Sequence, residues 1–116
     1  MAARYVVIIR RRGKAEKARH ATLAGALDAL ETELRAAATV QRPRVERALG
    51  REYAPVAQVA VRGELRGRNG LRAGVDVRGD GSAEAFVGRI VRRVVEQADG
   101  EDAWSALRRV VAAEDR

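Results

Sequence analysis

The side chains this sequence offers for chemistry are few. It has one histidine, His20, two serines, Ser82 and Ser105, and no cysteine. Both serines sit where a helix cap or a helix surface would use them. A nucleophile–histidine relay would therefore need a tertiary contact that nothing in the local pattern predicts. The absence of cysteine excludes disulfides, thiol catalysis and thiolate metal sites, and one histidine is too few for the usual structural zinc site. Asp76 and Asp80 flank Gly79 without the alternating ligands of a calcium loop, so turn chemistry accounts for them. Gly63, Gly67 and Gly70 lack dinucleotide-fold spacing. Gly79-Asp80-Gly81-Ser82 lacks the lysine of a phosphate loop and would set Asp80 against an anion. The chain is therefore expected to be non-enzymatic and to bind neither metal nor cofactor.

Arginine dominates what remains. The 116 residues carry 23 basic and 16 acidic side chains, a net charge of +7, and only Lys14 and Lys17 of the basic ones are lysines. Residues 1–72 hold a net +9 and residues 73–116 a net −2. An arginine-for-lysine bias follows from a GC-rich coding sequence, but an excess of basic over acidic residues does not. The excess falls into three clusters. Arg10, Arg11, Arg12, Lys14, Lys17 and Arg19 form the first, Arg42, Arg44, Arg47 and Arg51 the second, and Arg66, Arg68 and Arg72 the third. Solvation explains any one cluster. Three within 72 residues weigh equally for a polyanion, held through phosphates with salt-sensitive affinity.

The third cluster occupies a hairpin. Val59, Val61 and Leu65 alternate with polar residues, as do Leu71, Ala73, Val75 and Val77, so each arm reads as a half-buried strand. Facing side chains share a face, which sets Leu65 against Ala73 and Val61 against Val77. The loop is then Arg68-Asn69-Gly70, with Gly70 in the left-handed conformation. The same register opposes Arg62 to Asp76, a sensible ion pair, and Arg66 to Arg72, an unfavourable one.

The other elements follow from spacing. Tyr5 to Ile9, apolar and β-branched, predicts a strand buried on both faces, with Arg10 to Lys14 as its exit turn. Residues 15–21 read either as a returning strand or as the first turns of a helix. The strand is favoured because Thr22 suits an N-cap for the Leu23, Leu27, Leu30, Leu34 stripe. Pro43 to Gly50 predicts a short helical turn. Ser82 is expected to cap a helix whose apolar face is Phe86, Val87, Ile90, Val91, Val94 and Val95, ended by Gly100. Asp102 to Ala113 predicts a last amphipathic helix.

The expected fold is one α+β domain over 1–116. It has a small antiparallel sheet with two main helices on one face and a short C-terminal helix, in the order ββα-turn-ββαα. The strand, strand and helix core resembles double-stranded-RNA-binding and ribosome-associated folds in architecture only, which fixes no function. No apolar run reaches the ~20 residues of a membrane span, and the short apolar start lacks a cleavage site, so a cytoplasmic protein without membrane contact is expected. With Tyr5, Phe86 and Trp104 assigned to the core, Tyr53 alone is left for stacking. Duplex or structured RNA or DNA is therefore the expected partner, contacted along its backbone. The competing expectation is a small oligomeric accessory or structural subunit. It would associate with itself or another protein through the broad apolar face of the Phe86–Val95 helix and through the C-terminal helix.

Overall fold

A computed structural model describes residues 4–40, 46–48, 51–53, 59–88 and 91–114. Six strands form one antiparallel sheet: β1 (Tyr5–Arg11), β2 (Lys14–His20), β5 (Val59–Arg66), β6 (Arg72–Arg78), β7 (Ala83–Val87) and β8 (Arg93–Val94), in the spatial order β2-β1-β5-β6-β7-β8. A separate two-stranded ladder pairs β3 (Glu46–Ala48) with β4 (Arg51–Tyr53). The helices are α1 (Leu23–Val40) and α2 (Ala103–Glu114). The fold is thus α+β as expected, with more strand than the sequence reading allowed.

The β1–β2 hairpin turns on two residues, Arg12 at φ 49° and Gly13 at φ 76°. A two-residue turn with both central residues at positive φ matches the right-handed twist of its strands. Residues 14–20 are a strand, as favoured. Thr22 Oγ1 accepts the Gly25 N–H at 3.1 Å and caps α1. Leu27, Leu30 and Leu34 are buried along the predicted stripe.

The β5–β6 hairpin has the expected register, Leu65 facing Ala73, Val61 facing Val77, Arg62 facing Asp76 and Arg66 facing Arg72. Gly70 stands at φ 75° at the end of a 3-10 turn over Arg68–Gly70.

Three expectations are corrected. Among the described residues the helix from Ser82 through Phe86–Val95 is absent; Ala83–Val87 and Arg93–Val94 are strands instead, so the order is ββα, a two-stranded ladder, then ββββα. Ser82 caps no helix. Its N–H and hydroxyl both donate to Asp80 Oδ1, at 2.9 and 2.6 Å, closing the turn between β6 and β7. The reason lies in β6, where residues 73–77 are buried whichever face they point to. Such a strand needs a hydrogen-bonded neighbour on each side, and β7 supplies the second. The third correction concerns the turn after Pro43: Glu46–Ala48 is a strand, paired with Arg51–Tyr53. The apolar helix face proposed for self-association is lost with its helix.

Both helices cover one face of the sheet. Tyr5, Val7 and Ile9 of β1, Val61 and Leu65 of β5, Ala73, Val75 and Val77 of β6, and Ala85 and Val87 of β7 share a core with Leu30 and Leu34 of α1 and Trp104, Leu107 and Val111 of α2. A Cβ at Gly63 would stand 2.5 Å from Leu30 and Leu34, so α1 rests directly on the β5 backbone there.

Asp102 caps α2 by accepting the Ser105 N–H at 2.8 Å, and that bond is the chief cause holding its carboxyl below the ordinary aspartate range. Asp102→Ala is expected to cost ~1 kcal/mol at neutral pH. Because the folded-state value is lowered, this contribution is full above the ordinary aspartate range and fades as pH falls through the lowered one. Urea denaturation at pH 7 and pH 3 checks both statements.

Candidate functional site

The face of the sheet turned away from the helices follows from strand parity. With odd-numbered residues of β1, β5, β6 and β7 in the shared core, the even-numbered ones point to the other face. Reading across the hydrogen-bonded register gives three rows. The first is Ala15, Arg10, Arg62, Asp76 and Glu84. The second is Lys17, Ile8, Glu64, Gly74, Phe86 and Val94. The third is Arg19, Val6, Arg66 and Arg72. Basic side chains therefore recur over β2, β1, β5 and β6 on the open face, and the third row holds no carboxylate.

At the centre of this face Asp76 is 1 % exposed. It accepts from Arg62 Nε at 2.7 Å and Nη2 at 3.3 Å, and from Arg92 Nη2. The hydrogen bond to Asp76 raises the Arg62 guanidinium above its ordinary range. Arg92 lies over the Phe86 ring, 4.0 Å from its centroid. A cation over an aromatic face gains ~0.5–2 kcal/mol depending on desolvation. The ring has room because residue 74 is glycine: a Cβ there would meet Phe86 Cζ at 2.6 Å. Phe86 is buried, as the sequence suggested, but on the opposite face from Tyr5 and Trp104.

Glu64 is the acidic member of the second row, 3.3 Å from Arg10 and 3.4 Å from Arg66. Half-exposed pairs of this kind contribute ~0–1 kcal/mol, so an arriving anion can replace Glu64 as partner at little cost. Among the described residues Lys17, Arg19 and Arg72 have no carboxylate partner, and the Arg66 Nε is buried with no hydrogen-bond acceptor.

The helix layer is different because its charges pair within it. Arg35 meets Glu31 at 2.8 Å and Asp102 at 3.4 Å, Arg108 meets Asp28 at 2.7 Å, and Arg109 meets Glu101 at 2.9 Å. These bonds raise all three guanidiniums, the first named partner being the largest cause for each. The two faces of the sheet thus differ in how their basic groups are met.

The three predicted clusters do not converge. Arg11, Arg12 and Lys14 lie at the β1–β2 turn, while Arg66, Arg68 and Arg72 lie at the other end of the sheet. The strand rise separates these ends by about 17 Å. Arg10 and Lys17 stand between them on the open face. Arg47 is in β3 and Arg51 in β4; Arg42 and Arg44 fall outside the described residues.

His20 ends β2 opposite Tyr5, with Nε2 buried and without a hydrogen-bond partner, while Ser82 stands at the β6–β7 turn at the opposite end of the sheet. Arg92 and Phe86 were missed as site residues because both were assigned to a helix. The signal that finds them is the Phe86–Gly74 pairing, which appears only when residues 83–87 are read as a strand.

No helix of the described residues is long and apolar enough to cross a membrane. No family model matches this chain, and comparison with curated proteins and with solved structures finds no match either.

Proposed function

We propose that this protein is a non-enzymatic nucleic-acid-binding domain that holds the phosphate backbone on the open face of its sheet. The observation that carries this reading is the row Arg19, Arg66, Arg72. Arg66 and Arg72 face each other on adjacent strands and repel at short range, Arg19 stands one strand further on beyond Val6, and an anion lying across the row relieves the repulsion. Arginine suits the task, since its planar fork bonds phosphate oxygens two at a time. Arg10, Lys17 and Arg68 extend the basic surface around the row. The paired charges of the helix layer supply no comparable excess.

A second reading, an accessory subunit that docks through an apolar surface, draws on Val91 and Val94, which are 76 % and 56 % exposed at the β8 edge. Two side chains fall short of the several hundred Å² that mark an interface. The basic face is the larger feature.

The test is titration of a labelled 20-nucleotide RNA at several salt concentrations. Arg19→Gln/Arg66→Gln/Arg72→Gln is expected to weaken binding to every sequence alike. It should flatten the plot of log K against log salt by up to ~0.7 per lost contact to a single strand, or ~0.9 for B-form DNA. Arg35→Gln/Arg108→Gln/Arg109→Gln, confined to the helix layer, is expected to leave that slope unchanged. Equal effects of the two triple variants would remove the open face as the binding surface.

A further inference from the structure

We propose that the open face takes an unpaired base from a single-stranded nucleic acid, stacked on the outer side of the Arg92 guanidinium, with Arg66 and Arg72 on the flanking phosphates. The inference rests on the nucleic-acid reading and replaces the duplex expected from the sequence with a single strand, because a guanidinium plane can serve where aromatic rings are scarce.

The Arg92 guanidinium is held on two sides. Asp76, buried beneath the face, accepts from its Nη2, and its Cζ lies over the Phe86 ring, 4.0 Å from the centroid. Phe86 itself is seated by Gly74, and the Gly88 N–H donates to the Arg72 carbonyl at 2.9 Å, which fixes the backbone just after β7. Even so, the Arg92 side chain keeps 41 % of its surface exposed. A planar cation fixed from behind and open in front is a stacking surface, and guanidinium planes serve single-stranded bases as aromatic rings do. Few aromatics are then needed on this face.

Beside the guanidinium is a cleft of about 160 Å³ lined by Arg62, Glu64, Arg72, Phe86, Gly88 and Arg92. Sites for whole small molecules run to ~300–1,000 Å³, so this one suits a single planar group. Glu64 at its rim is an acceptor for the amino and imino N–H groups that an unpaired base exposes on its edge. In a duplex those edges are paired and the base faces are stacked, which leaves only the phosphates for this surface to read.

The test compares three probes of one sequence on the intact protein: an 8-nucleotide single-stranded RNA, the same strand with every base removed, and the duplex. The intact single strand is expected to bind about tenfold more tightly than the abasic strand, whose phosphate charge is the same. Arg92→Lys keeps a cation beside Asp76 and removes the plane. It is expected to abolish the tenfold preference while leaving affinity for the abasic strand unchanged, a pattern that misfolding would not produce. Equal binding of intact and abasic strands, or tighter binding of the duplex, would overturn the stacked base and leave backbone binding standing. Failure of all three probes at low salt would overturn both readings. An octaglutamate peptide bound as tightly as the intact strand would overturn this one in favour of an acidic protein partner.

Discussion

Replacing Arg62 and Arg92 together by methionine is expected to destabilise the fold by about 3–5 kcal/mol, because the change strands the Asp76 carboxylate in a site it cannot leave. That side chain is 2 % exposed, whereas the two arginines keep 36 % and 41 % of their surfaces in contact with solvent. The asymmetry decides the sign of the comparison. In Asp76→Asn one guanidinium turns toward water while the amide oxygen still accepts from the other, so a loss of only about 1 kcal/mol is expected. Either arginine alone supplies a partner for the carboxylate, so each single variant should cost well under half of the double. Urea denaturation followed by circular dichroism measures all four proteins. Equal losses for the double variant and for Asp76→Asn would show that Asp76 is solvated in the native state.

The second large effect is a coupling between α1 and β5. Leu34→Ala removes a side chain with no exposed surface and is expected to cost about 2–5 kcal/mol. Gly63→Ala places a methyl group 2.5 Å from the Leu30 and Leu34 methyls and is expected to cost about 1–3 kcal/mol by overpacking. With both changes present, the methyl at residue 63 occupies space vacated by Leu34. The double variant should therefore be more stable than the sum of the two losses predicts by about 1 kcal/mol or more. Strict additivity would mean that α1 does not rest on Gly63.

The elements differ in how far their sequences betray them. The β5–β6 register was legible because alternation on two strands and the Arg62–Asp76 complement agree on one alignment, and Gly70 marks the turn. α1 was legible because Thr22 and the leucine spacing point to the same start. Residues 82–95 misled because Phe86, Val87, Ile90, Val91, Val94 and Val95 satisfy a helical period as well as any true helix here. The β-branched valines and isoleucine favour strand and Gly88 disfavours a helix interior, but spacing alone could not weigh a demand that arises elsewhere, the need of β6 for a second neighbour. The candidate site inherited that error. Arg66, Arg68 and Arg72 were visible as a charged tip. The row that joins Arg66 and Arg72 to Arg19, and the stack of Arg92 on Phe86, exist only once β1 and β7 flank the hairpin. A continuous apolar run such as Tyr5–Ile9 shows no face of its own, so nothing local revealed that Arg10 and Arg62 share one.

Amide chemical-shift mapping during titration with a single-stranded RNA tests the central claim most directly, since it reports the face engaged without any substitution. Perturbations are expected at Lys17, Arg19, Arg66, Arg72, Phe86, Gly88 and Arg92, fading as salt is raised, with the exposed surfaces of α1 and α2 unaffected. Shifts confined to the helix layer, or none at low salt, would contradict the assignment of the open sheet face as the nucleic-acid-binding surface.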